Sequence, residues 1–380
     1  MSQLACRRCL RYSLPPRSNN DANRTPSMTR VYPDELSRLA LAGGQSLAFH
    51  QLGQPGRRAW LALHGGPGSG AGPALWQGFE LPACQLLAPD QRGSGASRPA
   101  GSRRGQGLPQ LIADLERLRQ AQGLASWSVL GGSWGATLAL MYAARQPQAV
   151  EALVLRGSFK GSRREVIRLL RRFWPRSGPA LPPARGAGSG VRLRHCRPAQ
   201  ADAVLQQLSQ LFRNGTVAPR TSRIAQAWQT MEQAAALHGA RRAWLGATAV
   251  DERRELRRHW QAMGPARLQR RLERPEALPA RAQKKLWQKY RIQSHLLARR
   301  CGLRPGDWER ALQTVAMHGI ATTWIHGRHD PVCPPGNSLQ SHRRLTELAP
   351  GGSQLRLTRA GHLGHEPGNL QAIRAAVRHG

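Results

Sequence analysis

Acid and lysine are both scarce in this sequence. Its 380 residues hold 21 Asp and Glu against 57 Lys and Arg, for a formal net charge of +36, and only four of the basic residues are lysine: Lys160, Lys284, Lys285 and Lys289. So lopsided an arginine excess reflects a coding bias as readily as a polyanion partner, so charge alone selects no function. Long apolar runs are missing too. None approaches the roughly 20 residues a helix needs to cross a bilayer, which excludes a helical membrane protein. The six cysteines are too few and too scattered for a disulfide scaffold. Cys6-Arg-Arg-Cys9 has CxxC spacing, but no second pair and no strand–helix unit accompany it, so the default is reduced thiols with no metal. Residues 1–27 lack the apolar stretch of a secretory signal. Their Arg-rich, acid-poor composition mimics an organelle transit peptide, and they are expected instead to be a disordered tail over about 1–30, with Met28 as an alternative first residue. A cytoplasmic location follows from these readings.

What is present is enough for a core: 40% of the residues are hydrophobic, which excludes disorder throughout. Leu39-Ala40-Leu41 and Ser46-Leu47-Ala48-Phe49 flank Gly43-Gly44 and predict a hairpin. Apolar runs at 60–63, 85–88, 127–130 and 152–155 predict buried strands. Helical spacing over 108–122 and 136–145 falls between them. Strands alternating with helices imply a parallel sheet covered on both faces. The rhythm stops near residue 158 and resumes with strands at 322–325 and 354–357 and a helix over 370–378. The predicted architecture is therefore an α/β core of 31–158 and 319–380 with an Arg-rich helical insertion, 159–318. About two-thirds of the excess charge sits in that insertion, and the Pro, Gly and Arg of 178–198 predict a flexible loop.

Gly131-Gly132-Ser133-Trp134-Gly135 places Gly-x-Ser-x-Gly between a predicted strand and a predicted helix. Small residues permit the sharp turn that lifts a serine hydroxyl clear of a sheet, and the helix start aims N–H groups at a developing anion. His64-Gly65-Gly66-Pro67-Gly68 follows an earlier strand, and its backbone is suited to supply a second oxyanion donor. The candidates are the N–H groups of Gly66 and Trp134, with Gly65 an alternative and His64 ordering the loop. A serine needs a base and the base a carboxylate, in chain order Ser, Asp, His for this architecture. Asp330 follows the strand at 322–325. His362 follows the strand at 354–357 and is favoured as base over His365. His329 is read as a neighbour, and Asp90 with Arg92 as a structural turn. Cys333 lies close enough to Asp330 in sequence to suggest sensitivity to thiol reagents.

These segments together resemble the proline iminopeptidases of the α/β-hydrolase fold: His64–Gly68, Asp90–Gly95, Gly132–Gly135, Gly327–Asp330 with Cys333-Pro334, and Gly361-His362 with Glu366-Pro367. The resemblance spans roughly 36–160 and 319–378. It implies removal of an N-terminal proline from peptides, with Ser133 as nucleophile, His362 as base, Asp330 as its partner and no metal or organic cofactor. Within the insertion, Trp228-Gln229-Thr230-Met231-Glu232 is similar to the family's Trp-x-x-Trp-Glu segment, which implies Glu232 as the anchor of a substrate amine. Arg291-Ile292-Gln293-Ser294-His295 carries Gln293 where the family has a second glutamate. A neutral amide does not balance an ammonium, so amine preference is expected to weaken by roughly 10–100-fold. The expected partner is a small peptide with a free N-terminus. An esterase or broad aminopeptidase of the same fold is the alternative, and a polyanion-binding protein on an idle scaffold the more distant one. No nucleic-acid-binding motif supports the latter.

Overall fold

The computed structural model describes residues 35–182, 191–214, 216–273 and 276–379. The tail expected over 1–30, Cys6 and Cys9 included, lies outside the described residues. So does the centre of the 178–198 loop; its flanks are held together by a bridge in which the Leu181 and Val191 backbones exchange hydrogen bonds of 2.9 and 3.1 Å.

Eight strands form one sheet: β1 (Glu35–Leu41), β2 (Gln45–Gly53), β3 (Arg58–Leu63), β4 (Cys84–Asp90), β5 (Trp127–Gly132), β6 (Val150–Arg156), β7 (Ala321–Gly327) and β8 (Ser353–Thr358). Their spatial order is β1-β2-β4-β3-β5-β6-β7-β8. The β1–β2 and β2–β4 pairs are antiparallel and every later pair is parallel. The hairpin expected from Gly43-Gly44 is β1–β2.

The period of two along β3 sorts side chains to opposite faces. Leu61 and Leu63 join a core with Leu87, Val129, Leu153 and Trp324. Trp60 and Ala62 join another with Leu86, Leu130, Val154 and Ile325. The helices are α1 (Pro73–Trp76), α2 (Leu108–Ala121), α3 (Trp134–Arg145), α4 (Arg163–Phe173), α5 (Ala201–Leu211), α6 (Pro219–Leu245), α7 (Val250–Ala262), α8 (Pro265–Glu273), α9 (Ala280–Ala298), α10 (Asp307–Met317), α11 (Gly336–Leu348) and α12 (Pro367–His379). Residues of α2 and α3 enter the first core, and Ala372, Ile373, Ala376 and Val377 of α12 enter the second. Helices on both faces explain why the parallel strands read as continuous apolar runs rather than alternating ones.

Between β6 and β7 the chain is helical. α4 starts with a capping box in which Ser162 and Glu165 bond each other's backbone N–H. α6 packs on α4, α7 and α9, whereas α10 turns back to pack on α3 and α11 beside the sheet. Among the described residues no helix is long and apolar enough to cross a membrane.

Candidate active site

The parallel strands run the same way, so the loops after β3, β5, β6, β7 and β8 gather at one edge of the sheet. Ser133 lies between β5 and α3 with φ 57° and ψ −118°. An L-residue occupies that region only where the surroundings impose it, and it marks the sharp turn expected from Gly-x-Ser-x-Gly. The glycines are a steric requirement. A Cβ on Gly135 would stand 2.2 Å from the Leu63 carbonyl oxygen, and one on Gly131 would stand 2.3 Å from that of Gly135. β3, β5 and α3 meet here with no room for a methyl group.

Asp330, three residues past β7, and His362, four past β8, meet with Nδ1 to Oδ2 at 2.7 Å. The other carboxylate oxygen accepts from the backbone N–H of Val332 and Cys333 at 2.8 and 2.9 Å. His326 adds Nε2 to Oδ2 at 3.3 Å. Burial of Asp330 pushes its carboxyl upward, but His362 and His326 more than reverse that and hold it well below the usual carboxylate range. It is ionised at neutral pH. Ser133 and His362 line one cavity of about 570 Å³. The Ser133 hydroxyl is turned to the Cys333 thiol, Oγ to Sγ 3.9 Å, rather than to the imidazole. Such contacts are commonly loose without substrate.

Gly66 (φ +118°) and Gly65 lie in the loop after β3. A Cβ on Gly65 would be 3.2 Å from that of Ser133, so the loop backbone runs close against the serine. Trp134 is the first residue of α3, and its N–H has no acceptor within its helix. Gln91, not singled out from sequence, joins the two sides. Its Oε1 accepts from Trp134 Nε1 at 2.7 Å, its Nε2 donates to the His64 carbonyl at 2.8 Å, and its N–H donates to His64 Nε2 at 3.0 Å. His64 is thereby the Nδ1–H tautomer, donating to the Gly65 carbonyl at 2.8 Å. Burial lowers its pKa and keeps it neutral. It orders the loop.

Asp90 accepts from the N–H of Ala71 and Ala96 at 2.6 Å each, and Arg92 Nε donates to Asp114 at 2.8 Å; both organise turns. His365 lines the cavity beside His259, at 5.5 Å between rings. His329 donates its N–H to the Ala360 carbonyl and is not among the cavity-lining residues. Cys333 is fully buried, and burial holds its thiol well above the ordinary range, which makes it a poor target for thiol reagents.

Two charged residues support the His362 loop. Arg156, partly buried at the end of β6, donates from Nη1 to the His362 carbonyl. Glu366 is buried and accepts from the N–H of Gly361 at 2.6 Å and of Leu363 at 2.8 Å. Burial first, opposed by those two N–H groups, pushes its carboxyl up to about 7. A carboxyl raised by folding favours the native state fully below its unfolded pKa, and that advantage is lost as pH rises through the folded value, here between about 4.5 and 7. The span corresponds to about 3 kcal/mol. Glu366→Gln, which cannot titrate, is therefore expected to flatten stability against pH over that window in urea unfolding at pH 4.5, 6 and 7.5. A slope equal to that of the unmodified protein would show the titration lies elsewhere.

Part of the same cavity wall is built from the insertion. Trp228 and Glu232 on α6 and Lys289 and Gln293 on α9 line it, with Trp228 stacked on Tyr290 at 4.9 Å. Glu232 and Gln293, far apart in sequence, are together: Gln293 Nε2 donates to Glu232 Oε1 at 2.9 Å. Lys289, which sequence reasoning missed, sets its Nζ 2.6 Å from Glu232 Oε2. Glu232 is thus an ion-paired cavity residue rather than a free carboxylate. Nothing local signalled the pair, because α6 and α9 meet only through tertiary packing. Among the described residues there is no group of three or more His, Cys, Asp and Glu placed to hold a metal.

A strand-turn-helix serine, an Asp–His pair on later strand ends and an inserted helical segment define a hydrolase site, and the chain belongs to the alpha/beta hydrolase fold family, whose model matches residues 61–368. It is 29% identical over 361 residues to a proline iminopeptidase of Xylella fastidiosa, covering 91% of this chain and 96% of that one. To the proline iminopeptidase of Arabidopsis thaliana it is 26% identical, covering 89% and 77%. Among solved structures it matches an esterase from Exiguobacterium antarcticum with TM-score 0.50 at 16% identity, covering 90% and 98%. That likeness concerns the fold alone. The resemblance read from the motifs stands: the chain is an alpha/beta hydrolase, similar over most of its length to proteins named proline iminopeptidase.

Proposed function

We propose that the enzyme releases proline from the free N-terminus of short peptides, with Ser133 as nucleophile, His362 as general base and acid, and Asp330 orienting it. Gly66 and Trp134 supply the oxyanion N–H groups. One observation carries the substrate reading. A single cavity reaches from Ser133 and His362 to the Glu232–Gln293 pair, so a peptide's first residue fits between the reacting serine and an acidic group for its nitrogen.

In this mechanism the Ser133 hydroxyl turns from Cys333 to His362 and attacks the prolyl carbonyl as the imidazole takes its proton. His362 returns that proton to the leaving amine, and water then releases proline by the same relay. Within segment 159–318, the helices before α10 act as the cap that closes the cavity, and α10 belongs with the sheet. The relatives named proline iminopeptidase support the same substrate class. We place the enzyme in the cytoplasm on the free cysteines among the described residues, Cys84, Cys196, Cys301 and Cys333, all of them buried thiols.

Kinetics of the purified enzyme on prolyl arylamide, alanyl arylamide and a short acyl ester test the reading. Turnover of the prolyl arylamide with kcat/KM at least tenfold above the alanyl one is expected. Ester hydrolysis with neither arylamide cleaved would establish the esterase alternative, which the neutral Gln293 favours.

A further inference from the structure

The carboxylate proposed to receive a substrate amine is already occupied. Glu232 Oε2 takes the Lys289 ammonium at 2.6 Å and the Tyr290 hydroxyl at 3.1 Å, while Oε1 takes Gln293 Nε2 at 2.9 Å. With Gln293 and Tyr290 uncharged, Glu232 and Lys289 cancel, and the seat has no net charge. One polar atom in it is left over: Gln293 Oε1 is buried without a partner. A buried acceptor without a donor is costly unless something supplies one. Lys289 reaches the seat on a flexible stem and keeps partial solvent access, its side chain 17% exposed.

We propose that Lys289 determines specificity as a resident counter-ion, holding the place of the substrate's ammonium and yielding it only to a ligand that replaces its contact. This rests on the reading of Glu232 as the amine seat. A prolyl N-terminus carries two N–H donors. When Lys289 swings out, one can reach Glu232 Oε2 and the other Gln293 Oε1, so a secondary ammonium satisfies both the vacated carboxylate and the orphaned carbonyl. A substrate whose acyl end is uncharged does not need the displacement. Lys289 therefore weakens selection for amines over neutral acyl groups, and it acts on binding rather than on the bond-breaking step.

The test is the ratio of kcat/KM for prolyl arylamide to that for the short acyl ester. Lys289→Met leaves the seat with net charge −1 and is expected to raise the ratio about 10–100-fold, the range for one charge-assisted contact, through a lower KM for the arylamide. Gln293→Glu reaches −1 by another route and is expected to raise it likewise, whereas Lys289→Arg keeps the wild-type ratio. Glu232→Gln leaves an unbalanced lysine and is expected to lower the ratio at least tenfold, and adding Lys289→Met to it should bring none of the gain seen alone. If Glu232→Gln leaves the ratio unchanged, the amine-seat reading itself falls. If Glu232→Gln lowers the ratio but Lys289→Met moves it less than twofold, the seat stands and the counter-ion role is overturned. Should Lys289→Met not fold, Lys289→Gln removes the charge at similar length and is judged by the same outcomes.

Discussion

Ser133→Ala is expected to lower kcat on prolyl arylamide by about 10⁶-fold, to the level that binding and the oxyanion donors alone sustain. Cys333, whose thiol faces the Ser133 hydroxyl, does not stand in for it, being fully buried with a thiol pushed well above its ordinary pKa. The fold should survive, because among the described residues the Ser133 hydroxyl makes no closer polar contact than the 3.9 Å approach to that thiol. Alanine inherits the same strained backbone, so thermal stability should stay close to wild type. Ser133→Gly, which relaxes φ 57°, should be more stable by about 1 kcal/mol and equally inactive. Residual turnover within tenfold of wild type in either variant would mean that another group carries the attack.

Asp330→Asn is expected to cost about 10⁴-fold in kcat with little change in overall structure. The reason lies in how the carboxylate is held. Oδ1 is fixed by the N–H groups of Val332 and Cys333, so an asparagine must turn its oxygen to them and its NH₂ toward His362 and His326. An amide donor facing His362 Nδ1 forces that nitrogen to accept, which moves the ring proton to Nε2. The nitrogen that should take the serine's proton then already has one. Steady-state kinetics checks this. Activity of Asp330→Asn within a factor of ten of wild type would show that the 2.7 Å pair does not set the tautomer.

The parallel core and the positions of Ser133, Asp330 and His362 were legible in sequence because each depends on local pattern: an apolar strand run, its end, and the residue delivered there. The contacts that tune the site were not legible. Gln91 sits inside a segment that reads as a turn, yet its side chain ties His64 to Trp134. Arg156 is one arginine among many in sequence, and its hydrogen bond to the His362 carbonyl depends on the loop after β8 folding back to the end of β6. The pairing of Lys289 with Glu232 needed α6 and α9 side by side. α11 carried no periodicity strong enough to single out, and its buried faces include Asn337, Ser338 and Ser341 rather than an apolar stripe.

Reaction with a fluorophosphonate, followed by intact-mass and peptide mapping, probes the proposed relay without relying on any choice of peptide. One phosphonyl group per chain on the peptide containing residue 133, formed rapidly by the wild type and at least 10³-fold more slowly by His362→Ala, is the expected result. Labelling at any other residue, or equal rates for the two proteins, would contradict a serine activated by that histidine.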